Sequence, residues 1–192
     1  MFGRSVLAGI FIGLGGLVSL AVGGGIIGAV FYIFSFLCII YSDAFLYTAK
    51  VGWIGLEGIG WKEIGIILLG NIFGVFLISL LARAGGIGVD SAASISGRLD
   101  IPFFRVFMRG LGCGLIIDMI FWLWRDKQTL LPIIFGVPLF ILASQEHSIS
   151  LGFDILTAGI LSWRTLLVWV LIVLGNFVGC NIRRLFIPSK KR

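Results

Sequence analysis

Apolar residues run along the chain in six blocks, at about 5–23, 26–42, 62–83, 103–124, 129–143 and 160–187, with polar residues gathered between them. The longer blocks match the ~20 residues a helix needs to cross a ~30 Å hydrocarbon core. The pattern predicts an all-α membrane protein with six transmembrane helices. Blocks two and five are short for a span and give way to "YSDAFLYTAK" and "SQEHSISLGF", so both helices are expected to break. Blocks three and six share a Gly-Asn-x-x-Gly core, "LLGNIFGVF" at Leu68–Phe76 and "VLGNFVGCN" at Val173–Asn181.

A motif recurring in the third and last of six spans predicts one domain over 1–192 built as two three-helix repeats, about 1–86 and 98–187, with a basic cytoplasmic tail at 188–192. An odd number of helices per half inserts the second half upside down. In such inverted repeats the matched broken helices meet near the midplane and form the substrate path. Irregular backbone is tolerated at that depth only where protein or a water-lined cavity satisfies it. The stretches "FLYT" and "EHS" therefore mark the expected site of transport.

Composition strengthens this reading. Of the 192 residues 59 % are hydrophobic and only 12 % charged, and mean hydropathy is +1.12; about twice that charged share is usual for soluble domains. Net charge is +6, but the basic residues sit at segment ends rather than on one face, which argues against a nucleic-acid partner. Arg4, Lys50, Lys62, Arg125, Lys127 and the five basic residues of "RRLFIPSKKR" fall on one side. Arg83, Arg98, Arg105 and Arg164 fall on the other. By the positive-inside rule both termini are expected in the cytoplasm and the protein in the cell (inner) membrane. The first apolar block is too long for a signal peptide and lacks a clear cleavage site, so a retained helix is expected. Cys38, Cys113 and Cys180 have neither disulfide nor zinc spacing and read as small packing residues.

The ordered motifs resemble the formate/nitrite transporter family across nearly the whole chain. "AGIFIGLGGLVSLAVGG" is similar to its first helix, "FLYT" to the loop breaking the second, "FMRGLGCGLIIDMIFWLW" to the fourth, and "EHS" to the most specific motif, on the fifth. The resemblance implies an aquaporin-like fold and a homopentamer of independently conducting protomers. It also implies small monovalent anions as substrates, such as formate, nitrite, lactate or hydrosulfide.

Position by position, the resemblance makes His147 the central histidine and Thr48 the threonine facing it. Phe140, Tyr32 and Phe36 become constriction residues, Leu46 and Tyr47 loop residues on the path, and Arg98 a vestibule cation. The chain departs from the family where Gly114 replaces an asparagine, removing a polar pore partner. It departs again where "ISLGF" follows "EHS" without the expected asparagine, and where no amphipathic helix precedes the first span.

The chemistry of these residues fits anion passage. An anion entering an apolar constriction loses hydration, and a mid-span charge costs ~2.5–3.5 kcal/mol on translocon scales. A basic vestibule, hydroxyl and amide donors, or protonation of a weak acid each offset that cost. His147, the single histidine, has the side chain whose ordinary titration lies near neutrality, and a proton-linked passage is expected. The alternative for His147 is a ring that merely satisfies loop backbone.

Glu146 is expected to support its loop, and Asn71 and Asn176 to hold the broken-helix loops. Asp118, four residues after Gly114, either presents a polar group to the pore or pairs with Arg109 or a neighbouring helix. No nucleophile–base pair or metal-ligand cluster is visible, so neither an enzyme nor a cofactor is expected. The rival readings are a neutral-solute pore, which the absence of an Asn-Pro-Ala box disfavours, and a non-conducting scaffold or accessory subunit.

Overall fold

The computed structural model describes residues 1–56, 58–88 and 92–187. The tail expected at 188–192 lies outside them. Among the described residues the chain is helical throughout: α1 (Phe2–Ala21), α2 (Gly25–Tyr41), α3 (Tyr47–Lys50, continued by a 3₁₀ turn at Val51–Trp53), α4 (Trp61–Ala84), α5 (Ala92–Leu99), α6 (Phe103–Lys127), α7 (Leu131–Leu142), α8 (Ser148–Ala158) and α9 (Trp163–Phe186). Helices α1, α4, α6 and α9 are long and apolar enough to cross a membrane, and α2, α7 and α8 are shorter apolar helices. Large apolar side chains such as Leu69, Phe73, Leu80, Phe135 and Leu174 point outward, as expected of helices whose surroundings are lipid or another protomer.

Two helix pairs carry the scaffold, α1 against α4 and α6 against α9. Glycine makes the close approach possible. A Cβ on Gly74 would fall on the Val6 carbonyl, and one on Gly179 on the Leu111 carbonyl. Small residues at such crossings let backbones touch where lipid supplies no hydrophobic drive.

The two breaks are built alike. After α2 the chain turns at Asp43, with φ of 51°, and after α7 at Ser144, with φ of 55°. Ala44 N–H closes the first turn on the Ile39 carbonyl, and Gln145 N–H closes the second on the Phe140 carbonyl. Phe45 N–H then reaches the Arg4 carbonyl of α1, as Glu146 N–H reaches the Arg109 carbonyl of α6. Within the breaks matched residues lie 101 positions apart, and in the long helices 105.

The asparagines of the repeated motif clamp these loops. Asn71 Nδ2 donates to the carbonyls of Ser5 (2.7 Å) and Phe45 (2.8 Å), while its Oδ1 accepts from Tyr47 N–H at 2.8 Å. Asn176 does the same for Gly110 (2.7 Å), Glu146 (2.9 Å) and Ser148 N–H (2.8 Å). Both amides are fully buried and form three hydrogen bonds each. Leaving such groups unpaired would cost about 1–3 kcal/mol apiece.

Candidate functional site

The second break delivers His147 to the head of α8 and the first delivers Thr48 into the opening turn of α3. Thr48 Oγ1 lies 2.9 Å from His147 Nε2, and both residues are buried. His147 also caps its own helix, its Nδ1 accepting from Ser150 N–H at 3.2 Å. An accepting Nδ1 carries no proton, so in the neutral ring the proton sits on Nε2 and is donated to Thr48. The Thr48 hydroxyl hydrogen is then free to turn to another acceptor.

Three aromatic rings surround this pair. The Phe36 ring centroid lies 6.2 Å from His147, 6.1 Å from Phe140 and 6.2 Å from Phe121. Phe140 lies 6.1 Å from His147, and the Tyr32 hydroxyl hydrogen-bonds Ser150 Oγ at 2.7 Å. Tyr32, Phe36, Phe140 and His147 line a cavity of about 750 Å³ open at the end of the molecule where α1 meets α2. A second cavity, of about 140 Å³, opens at the end carrying Arg4 and is bounded inward by Phe121. Phe36 of the larger cavity packs on Phe121 of the smaller.

Among the described residues, the smaller mouth is lined by Arg4, Lys50 and Arg125 and by one carboxylate, Asp43. The larger is lined by Arg98 and Arg109 against Glu146 and Asp154. Arg98 is held in the wall, with Nη1 donating to Asp154 Oδ2 at 2.8 Å and Nε 3.6 Å from Glu146 Oε1. Each half-helix also has a cationic partner at its carboxyl end, where the helix dipole is negative. Arg83 Nη1 reaches the Thr157 carbonyl at 3.3 Å, and Arg184 Nη1 the Ile54 carbonyl at 3.1 Å.

Several expectations change here. Leu46, Tyr47 and Thr48 border neither cavity, and Thr48 meets the larger one only through its contact with His147. The clamp by Asn71 turns Tyr47 toward α9, where its hydroxyl donates to the Val173 carbonyl at 3.2 Å. In the hydrogen-bond pattern Leu46, not Thr48, stands where His147 stands in the second half. Gly114 is no vacant pore position, since a Cβ there would fall on the Asn176 backbone.

Of the two readings of Asp118, pairing with a neighbouring helix is the one observed. Its carboxylate accepts from Arg183 Nε at 2.6 Å and Nη2 at 3.3 Å, both residues being buried. Gly52 lies against the pair, with room for no Cβ. Sequence reasoning missed Phe121, Asp154 and the partnership of Arg183. Only the helical spacing of Asp154, seven residues beyond His147 and so on the same face, signalled any of these.

Compared with known proteins, the chain matches the model of the formate/nitrite transporter family over residues 1–188. Among solved structures, one described as a pentameric formate channel with formate bound superposes with a TM-score of 0.79 at 18 % identity, covering 95 % of this chain and 92 % of that one. Another, described as an FNT family ion channel, gives 0.80 at 19 % identity, covering 95 % and 86 %. At these identities the likeness is one of fold. No curated protein sequence matches.

Proposed function

Because the chain belongs to the formate/nitrite transporter family, a family of membrane transport proteins rather than enzymes, we propose that it conducts small monovalent weak-acid anions of the formate, nitrite, lactate and hydrosulfide class across the cell (inner) membrane. On this reading the six helical segments form two inverted three-helix repeats, with α2–α3 and α7–α8 as the broken spans. Both termini are cytoplasmic and five copies assemble, each with its own pore. The matched clamps of Asn71 and Asn176 support the repeat, and the pentameric formate channel of like fold supports the assembly.

The observation that carries the proposal is the buried Thr48–His147 hydrogen bond, with His147, Phe36 and Phe140 on the larger cavity and Phe121, in contact with Phe36, on the smaller. An anion drawn into either mouth exchanges water for the Thr48 hydroxyl and the Nε2–H dipole, with the amino end of α8 directed at the same point. Proton linkage follows from the cost of moving bare charge past the aromatic contact. A weak acid crosses that slit most cheaply as its neutral form.

The proton enters from vestibule water. The ring's one exchangeable proton is on Nε2, and surrendering it with Nδ1 engaged by Ser150 would leave an imidazolate. His147 thus acts as a donor of fixed direction. Uptake into proteoliposomes of formate, nitrite, lactate, acetate and hydrosulfide, at two pH values, tests the proposal. Saturable uptake of at least one, faster at the lower pH, is expected; uptake of none would leave the scaffold reading in its place.

A further inference from the structure

Asp154 shares the wall of the larger cavity with Arg98, Arg109 and Glu146. It sits two helical turns above His147 on α8. Its carboxylate takes the short bond from Arg98, while Glu146 approaches the same guanidinium from the break itself. Among the described residues, the charged partners on this wall are Arg98 from α5 and Arg109 from α6, with Tyr32, Ser150, Gln145 and His147 as further polar groups of the same cavity. Two carboxylates stand against two arginines among the described residues lining the larger mouth, and Asp154 holds the closer contact to Arg98.

We propose that Asp154 is a specificity-determining residue for anion entry from the larger mouth: it pins Arg98 to the cavity wall and cancels its field, setting a weaker anion affinity there than Arg98 alone would give. The inference rests on the transport reading above. One unit charge acting over ~8 Å at an effective dielectric of ~40 changes the local anion concentration about five-fold. A passive pore at equal pH on both sides shows the same kcat/KM in both directions. A change in affinity at one mouth therefore lowers KM and maximum rate from that mouth together.

The test is formate uptake by sealed vesicles of both orientations, sorted by protease accessibility of a C-terminal tag. For Asp154→Asn, KM from the larger mouth falls about five-fold with kcat/KM held, and KM from the smaller mouth stays within about two-fold. The shift shrinks at ~0.5 M salt, where screening is short-ranged. Arg98→Met raises KM from the larger mouth, and the double variant returns it to within about two-fold of wild type.

An unchanged KM, an equal change from both mouths, or a lowered kcat/KM at unchanged KM overturns the proposal, the last because it marks a purely structural role. If Asp154→Asn fails to assemble, Asp154→Ser is held to the same criteria. Absence of uptake by the wild-type protein would instead defeat the transport reading.

Discussion

The first and second halves of the chain bend their broken helices with the same turns and the same asparagine clamps, yet deliver different residues to the centre. Where the second half sets His147 at the head of its half-helix, the first sets Leu46. Where the second half joins α6 to α9 through Asp118 and Arg183, the matched positions of the first are Gly13 and Ile78, in direct apolar contact. The shared hydrogen bonds are those any broken span must make to satisfy its backbone in lipid. The differences are at the residue heading each half-helix, His147 against Leu46, and where the end of the first half-helix is fixed.

Breaking the shared part has the largest effect. Asn71→Leu and Asn176→Leu each delete three buried hydrogen bonds and orphan their partners, a loss of several kcal/mol at about 1 kcal/mol per bond plus 1–3 for each stranded group. Both are expected to abolish the assembled protein in size-exclusion chromatography, and to similar degree. A mild effect at one site alone would break the match between halves.

Next comes the ion pair. Asp118→Leu leaves Arg183 buried without its carboxylate, costing about 3–5 kcal/mol, whereas Asp118→Leu with Arg183→Leu together recovers most of the loss because the apolar contact of the first half is then imitated. Thermal unfolding in detergent measures both. Equal destabilisation by the single and double variants would show the pair to be more than a strut.

His147→Leu gives the second break the residue of the first. It removes a helix cap worth about 0.5–2 kcal/mol, so the protein still assembles, while anion flux in proteoliposomes falls more than ten-fold on losing the donor (a loss of about 1.4 kcal/mol or more). Thr48→Val removes one neutral hydrogen bond of about 1 kcal/mol and lowers flux about five-fold. Normal flux in either variant would remove that residue from the path.

Much of this was legible in the sequence. The doubled Gly-Asn-x-x-Gly motif announced the two clamps, and the polar tails of blocks two and five announced the breaks. His147 stood out as the one histidine of an apolar chain, Thr48 through the resemblance that set it opposite, and the two lie 2.9 Å apart. Other parts were hidden because they depend on the rotation of one helix against another. Tyr47 and Thr48 are neighbours in sequence, but the Asn71 clamp sends the first toward Val173 and the second toward His147. Arg183 counted as one more basic residue of a cytoplasmic end, and nothing local tied it to Asp118, 65 positions earlier. Asp154 was obscured by its apolar helix.

His147 is the proposed donor of fixed direction, and as the chain's single histidine it can be observed without assignment. Nitrogen-15 spectra of histidine-labelled protein in lipid bilayers at neutral pH report the proton on each ring nitrogen. The structure predicts an unprotonated, hydrogen-bonded Nδ1 and a protonated Nε2. A ring carrying its proton on Nδ1, or on both nitrogens, would contradict it.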